Sequence, residues 1–227
     1  MNAVIYYSNS NQSKAIADYL ASELNLPSFD VIINKVKSFE NLILVFPVYS
    51  QNIPQKIIDF LENVEIQYLS LVATYGKMSF GNVLYEISQQ FQFQIVAAAY
   101  VPTKHTYLPH DISFNDYAKL SPLLTAIKAK RPIVIPKAHK NLFANFFPAF
   151  RSRIGVKIIK TFKCNECNLC QLICPLSAIR NGKTNNKCIR CLKCVYHCPQ
   201  QALSFKLAFP LKKYLQKKPI EDLIIYK

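Results

Sequence analysis

All eight cysteines of the chain lie between Cys164 and Cys198, in two copies of the spacing CxxCxxCxxxCP. Thiolates bind iron, and three at this spacing wrap one corner of an iron-sulfur cubane while the fourth reaches the other cluster. The pattern predicts two 4Fe-4S clusters. The first would be held by Cys164, Cys167, Cys170 and Cys198. The second would be held by Cys188, Cys191, Cys194 and Cys174.

Two other uses of the cysteines are disfavoured by the same spacing. Structural zinc sites pair two CxxC knuckles across a longer gap than either run contains. A disulfide framework would need a secretory leader, and Met1 is followed directly by polar Asn2 and a short apolar run. The cysteines therefore indicate a reducing, cytoplasmic interior.

The first 130 residues alternate short apolar runs with segments of helical spacing. The predicted strands are residues 3–7, 29–33, 42–46, 69–74 and 93–100. The predicted helices are residues 13–24, 55–61, 82–90 and 114–129. Alternation of this kind predicts an α/β fold with a parallel sheet, which binds ligands outside the carboxyl ends of its strands.

The loop after the first strand consists of small hydroxyl and amide side chains: Ser8, Asn9, Ser10, Asn11, Gln12 and Ser13. It turns into a helix whose N-terminus could receive a phosphate, and it contains neither GxGxxG nor a P-loop. The hydroxyls at positions 8, 10 and 13 resemble the phosphate loop of flavodoxins, with Asn11 in place of the family's glycine. The plain alternative is an ordinary helix cap.

Two further loops strengthen the resemblance to flavodoxins. They contain Pro47, Val48 and Tyr49 after the third strand, and Thr74, Tyr75 and Gly76 after the fourth. The resemblance implies that Tyr49 and Tyr75 contact a flavin ring, and glycine lets backbone approach it closely. In a chain with 13 tyrosines they could equally be ordinary loop residues. His105 and His110 follow the fifth strand and are interpreted as solvated loop residues, with contact to a flavin edge as the alternative.

The whole chain resembles a flavodoxin-like domain fused to a bacterial two-cluster ferredoxin, an arrangement of clostridia and other anaerobes. The resemblance implies a five-stranded parallel sheet of order 2-1-3-4-5 and a small α+β cluster domain. It also implies FMN beside the two 4Fe-4S clusters. The expected domains are residues 1–130, flavodoxin-like; 131–159, a linker; 160–206, the ferredoxin domain; and 207–227, a tail.

The linker is basic and contains prolines and phenylalanines, the latter concentrated in residues 142–150. It is interpreted as packing its phenylalanines against both domains, and the alternative is a basic element lying on a membrane surface. No apolar run is long enough to span a membrane.

The formal net charge is +15, and its excess lies around the cysteines. Residues 151–206 contain 11 basic residues and one acidic residue, which favours an acidic redox protein as partner. Nucleic acid is disfavoured, because stacking aromatics are not interleaved with the basic residues. The chain lacks a nicotinamide fingerprint and an acid-base pair. We therefore expect an electron carrier that links FMN to two clusters, rather than a stand-alone enzyme. The alternatives are a basic ferredoxin with a non-flavin docking domain and a nucleic-acid-binding iron-sulfur protein.

Overall fold

A parallel sheet and its covering helices form the first part of the chain. The computed structural model describes residues 1–145 and 148–227, and the side chains of residues 148–151 are outside the description. The strands are β1 Asn2–Tyr6, β2 Ser28–Asp30, β3 Ser38–Pro47, β4 Glu65–Tyr75 and β5 Gln94–Pro102. The helices are α1 Gln12–Leu24, α2 Gln55–Leu61, α3 Val83–Gln90 and α4 Ser121–Ala129. A 3₁₀ turn, Tyr117–Leu120, precedes α4.

The strand order confirms the predicted fold class. The five strands pair in parallel in the order β2-β1-β3-β4-β5, as expected from the resemblance. Successive side chains fill two separate cores: Ile5 and Leu44 lie on one face of the sheet, and Val4 and Ile43 on the other. Both faces are buried, which explains why the strands are nearly continuous apolar runs.

Two of the expected elements are shorter than predicted. The second strand ends at Asp30, because its side chain accepts a hydrogen bond of 2.9 Å from the Ile32 N–H and turns the chain. The last helix begins at Ser121, with Pro122 in its first turn, where a missing N–H costs nothing. The residues before the 3₁₀ turn form no regular helix.

The C-terminal residues, which were expected to form a tail, add a strand to the sheet. β10, Ile224–Tyr226, pairs antiparallel with β5 and makes the sheet six-stranded. The segment before it is also bonded to the sheet. The Ile220 N–H donates to the Lys77 carbonyl at 2.6 Å, and the Tyr75 hydroxyl donates to the Asp222 carbonyl at 2.7 Å. Burial raises the pKa of Tyr75, which keeps this hydroxyl a donor.

The chain divides into two compact units. The first comprises Met1–Ala144 and Pro219–Lys227, and the second comprises Asn145–Lys218. The second unit begins before residue 160, because β6, Val156–Lys160, pairs antiparallel with β9, Leu203–Leu207. Its other elements are α5 Pro148–Gly155, α6 Leu169–Leu172, β7 Ile179–Arg180, β8 Lys183–Thr184, α7 Lys193–Tyr196 and α8 Phe209–Leu215. The expected packing of phenylalanines in residues 142–150 falls partly outside the described residues.

No helix among residues 1–145 and 148–227 is both long and apolar enough to cross a membrane.

Replacing Tyr75 with Phe should weaken attachment of the C-terminal segment. The change removes the hydrogen bond to the Asp222 carbonyl, and such a bond contributes about 1 kcal/mol. We expect urea unfolding to show a loss of that size, and amides of Ile224–Tyr226 to exchange faster with solvent. Tyr68→Phe, on the same strand but half-buried, is the matched control. Equal behaviour of the two variants would contradict the attachment.

Candidate iron-sulfur centre and sheet-edge site

The two cysteine runs have the same backbone structure at a spacing of 24 residues. Each run contains a one-turn helix, α6 in the first and α7 in the second. Each run's last cysteine accepts a hydrogen bond from a backbone N–H four residues later. Ala178 N–H donates to Cys174 Sγ at 3.2 Å, and Ala202 N–H donates to Cys198 Sγ at 3.3 Å. The sequence repeat is therefore also a structural repeat.

Residues in the left-handed backbone conformation, with positive φ, recur at equivalent positions of the two runs. Glu166 and Asn168 have φ near +58° and +59°, and their equivalents Arg190 and Leu192 both have φ near +59°. Such residues are uncommon outside glycine. They curve the chain into the concave backbone conformation that surrounds anionic groups, including iron-sulfur clusters.

The first three cysteines of run one share a pocket with the last cysteine of run two. This pocket lies in the second unit and is lined by Cys164, Cys167, Cys170 and Cys198, among other residues. These are the four cysteines predicted for the first cluster. The rest of the lining includes Gly182, Pro199 and Leu203.

Cys174 lies near cysteines of the other run. Burial raises the pKa of Cys194 to about 12, and the neighbouring thiols of Cys191, Cys188, Cys174 and Cys170 raise it further. Burial likewise raises the pKa of Cys191 to about 11, with contributions from Cys188 and Cys174. Cys174 is therefore close to the second run. Thiols with such pKa values must release protons when they bind metal.

The residues present suit clusters better than a single ion. Among the His, Cys, Asp and Glu side chains that the structure describes, no group of three or more is arranged to hold one metal ion. The four thiolates of a 4Fe-4S cubane each bind a different iron, so they stand further apart than the ligands of one zinc. The four thiols around one pocket, together with the concave backbone of the runs, fit that larger group.

Charged side chains differ between the equivalent positions. The Arg190 guanidinium donates from Nε to the Val156 carbonyl at 2.9 Å and from Nη1 to Thr184 Oγ1 at 2.8 Å. A cation is thereby fixed beside the second run. Its equivalent Glu166 is exposed and forms an ion pair with Lys160, with Nζ and Oε1 3.3 Å apart. The runs thus share a backbone but differ in electrostatic surroundings.

The loop after β1 contains buried polar atoms without partners. Asn11 adopts φ +62°, the left-handed conformation that glycine would favour, and α1 begins directly after it. Ser8 Oγ and Asn9 Oδ1 are buried and have no hydrogen-bond partner among the described residues. Ser13 Oγ lies 2.8 Å from Thr74 Oγ1. Unsatisfied buried oxygens are costly, so this loop has the character of a ligand site.

The two predicted ring-contact tyrosines differ in position. Tyr49 is half-buried in the loop after β3, and its hydroxyl accepts a hydrogen bond from Asn9 Nδ2. Tyr75 is 1% exposed and packs against Phe80 in the core, so its ring cannot stack on a ligand in this conformation. A Cβ added at Gly76 would lie 2.7 Å from the His105 ring. His105 therefore covers the backbone that was expected to approach a flavin. Pro47 and Val48 are partly buried at the end of β3.

A polar cluster beyond the ends of β4 and β5 was not predicted. Lys77 Nζ lies 3.0 Å from Asp111 Oδ1 and 3.1 Å from Glu221 Oε1. The His105 N–H donates to Asp111 Oδ2 at 2.8 Å, and His105 Nδ1 accepts from the Tyr107 N–H at 3.1 Å. Burial lowers the pKa of His105 to about 4 although Asp111 opposes the shift. The expectation of a solvated His105 was wrong, because its loop folds back over the sheet edge.

Comparison with known proteins identifies the second cysteine run. Residues 183–204 match the family model described as a 4Fe-4S binding domain. The match includes Cys188, Cys191, Cys194 and Cys198, and it supports an iron-sulfur electron-transfer role. No curated protein matches the chain.

One solved structure similar to the chain is that of the Trp repressor binding protein from Bacillus subtilis. The sequences are 16% identical, and the alignment covers 56% of this chain and 95% of the other, with a TM-score of 0.31. Similarity at this level defines no shared function.

The stability of the protein should fall between pH 6.5 and pH 4 because of His105. An ordinary histidine in the unfolded chain titrates near pH 6.5, whereas the folded pKa is about 4, so the unfolded state binds more protons in this window. The stability present above pH 6.5 is lost as pH falls to 4, by about 3 kcal/mol. His105→Gln should flatten this part of the profile in urea unfolding followed by tyrosine fluorescence.

His110→Gln, at an exposed position, is the control for this experiment and should keep the wild-type slope. A His105→Gln profile as steep as that of the wild type would show that another group causes the loss.

Proposed function

We propose that the protein transfers electrons through two 4Fe-4S clusters and an FMN. The observation that carries this function is the mixed grouping of the cysteines, with Cys198 in the pocket of the first run and Cys174 beside the second. Each run thereby contributes a ligand to both sites. That exchange holds two one-electron groups close together, as a protein that passes single electrons requires.

The chain's own residues bind these groups and adjust their charge. Eight thiolates would bind the clusters. The fixed guanidinium of Arg190 would stabilise added negative charge near the second run. When bound, a flavin supplies exchange between electron pairs and single electrons, and clusters supply single-electron steps. The chain thus needs to hold these groups and orient them, without making or breaking bonds in a substrate.

The loop after β1 supports the flavin part of the proposal, because it has features that suit the phosphate group of FMN. The loop of residues 8–13 offers the N-terminus of α1, the left-handed Asn11 and the unpartnered oxygens of Ser8 and Asn9. The Ser8 hydroxyl can rotate to donate to phosphate, and the Asn9 amide oxygen can accept from a ligand hydroxyl. Tyr49, next to this loop, is our proposed ring contact. We assign no ring contact to Tyr75.

A second candidate function is a basic ferredoxin whose first unit docks partners without flavin. The burial of Tyr75 and the position of His105 over Gly76 favour it, because both fill space where an isoalloxazine ring was expected. We place either form of the protein in the reducing cytoplasm of an anaerobic cell, where eight thiols and exposed clusters survive. Its partner would be an acidic redox protein.

Exchange of Cys174 and Cys198 between the sites can be tested by single substitutions. Protein purified without oxygen should contain about eight iron atoms, and Cys198→Ser should reduce this to about four. The thiols of Cys164, Cys167 and Cys170 should then react with an alkylating reagent, because their cluster is lost. The thiols of the second run should stay protected, as read by mass spectrometry.

Cys174→Ser is the matched variant and should give the reverse pattern, with the second run alkylated. The exchange is excluded if Cys198→Ser instead unprotects Cys188, Cys191 and Cys194. Absence of iron from the wild-type protein would exclude the function itself.

Ser10→Glu should abolish flavin binding without changing the iron content. The added carboxylate would repel a phosphate at the N-terminus of α1. The measurement is the FMN released per chain, for which about one is expected in the wild type. Ser22→Glu makes the same charge change at an exposed position of α1 and should retain flavin. Flavin retained by Ser10→Glu would exclude this loop, and a wild type with iron but no flavin would select the second candidate function.

A further inference from the structure

The two cysteine sites are unequally exposed. Cys167 of the first run is exposed, whereas Cys188 and Cys194 of the second are 9% and 8% exposed. Single electrons pass fastest over short distances, so a partner gains most by docking where a ligand reaches the surface. We propose that the surface around the first run, formed by Phe162, Lys163, Cys167 and Leu172, is the docking face for a redox partner. This inference rests on the proposed electron-transfer function.

Large apolar side chains are more exposed at the first of the two equivalent sites than at the second. Phe162 precedes Cys164 and is 95% exposed, and Leu172 lies between Cys170 and Cys174 and is 83% exposed. The residues 24 positions later are Asn186, which is polar, and Tyr196, which is 44% exposed and has a polar hydroxyl. Because the backbones of the runs are equivalent, the fold itself does not require the exposed Phe162 and Leu172. Exposed apolar side chains grouped at a site indicate a protein contact.

The charge of the second unit identifies the chemistry of the partner. Asn145–Lys218 contains 15 basic residues and one acidic residue, which accounts for +14 of the chain's +15. Lys163, between Phe162 and Cys164, is exposed. A second copy of the chain would meet this face with the same sign of charge and be repelled. The face therefore fits a protein with an apolar contact surrounded by carboxylates, and its charge would speed the encounter.

The electron transfer to the partner makes and breaks no bonds. One electron leaves the reduced protein through the first site and enters a one-electron acceptor in the partner, and no proton or leaving group is involved. The chain contributes the contact and the charge that orient the partner, since both act before the electron moves.

The test uses a small acidic cytochrome as acceptor, with a small basic cytochrome as control. Chemically reduced full-length protein is mixed with each ferric cytochrome, and the second-order rate of haem reduction is measured. Lys163→Glu and Lys187→Glu occupy equivalent positions and change the net charge equally. We expect Lys163→Glu to slow reduction of the acidic cytochrome about tenfold or more, and Lys187→Glu to slow it by less than about threefold. Both variants should speed reduction of the basic cytochrome.

A second matched pair of variants tests the apolar part of the docking face. Phe162→Ser should slow reduction of the acidic cytochrome, whereas Phe209→Ser, which alters a 77% exposed phenylalanine of α8, should not. Carbodiimide cross-linking gives a readout independent of activity. Mass spectrometry should find cytochrome carboxylates joined to Lys163 in preference to Lys187.

Two results would overturn the docking face. They are equal slowing by Lys163→Glu and Lys187→Glu, and cross-links that favour Lys187. These results differ from failure of the proposed function, in which the wild-type protein would carry no iron and reduce neither cytochrome. Iron content and bleaching of the visible spectrum on reduction are therefore measured first on every variant.

Discussion

The exchange of one cysteine between the two runs that we propose is the constraint on which the second unit would depend. A run that kept all four of its own cysteines could fold around its own site, and the two halves would then be independent. In the proposed arrangement, with Cys198 at the first site and Cys174 at the second, neither site would be complete until both runs are folded. The β6–β9 pairing also makes the two halves of the unit depend on each other, because it joins the strand before the first run to the strand after the second. A unit of this size with few buried apolar residues needs such cross-linking, which bound metal can supply.

In the first unit, the C-terminal segment pairs with β5 and contacts the carboxyl end of β4. β10 covers the outer edge of β5, so the edge strand on this side of the sheet has three residues and not nine. The residues before it, through Glu221 and Asp222, contact Lys77 and Tyr75 at the carboxyl end of β4. Open α/β sheets bind ligands at that end. Any ligand bound beyond the end of β4 would therefore lie beside the last residues of the chain, whereas the loop after β1 contains the unpartnered buried oxygens of Ser8 and Asn9.

The sequence predicted the sheet well because its strands are buried on both faces, which leaves an apolar run that periodicity detects. The pairing of β10 with β5 and of β6 with β9 escaped prediction for the opposite reason. Both β10 and β6 are short, and the pairing of each depends on a partner far along the chain. The burial of Tyr75 in the core was predictable from the sequence. Side chains alternate along a strand, so extending β4 by one residue places Tyr75 on the same face as Leu71 and Ala73, in the core. The fold of the His105 loop depends on Asp111 and Lys77, whose approach no local pattern reveals.

Because the two cysteine runs share one backbone structure, comparing their equivalent positions indicates the role of each side chain. Residues that only maintain the fold should recur at equivalent positions, as the cysteines and the left-handed turns do. Residues that differ distinguish the two sites. Arg190 places a cation fixed by two hydrogen bonds beside the enclosed second run, whereas its counterpart Glu166 is an exposed acid paired with Lys160, which lies near Cys164. Positive charge favours the reduced and more negative state of a bound cluster. Under the proposed function, the second site would thereby retain an electron and the exposed first site would exchange it with a partner.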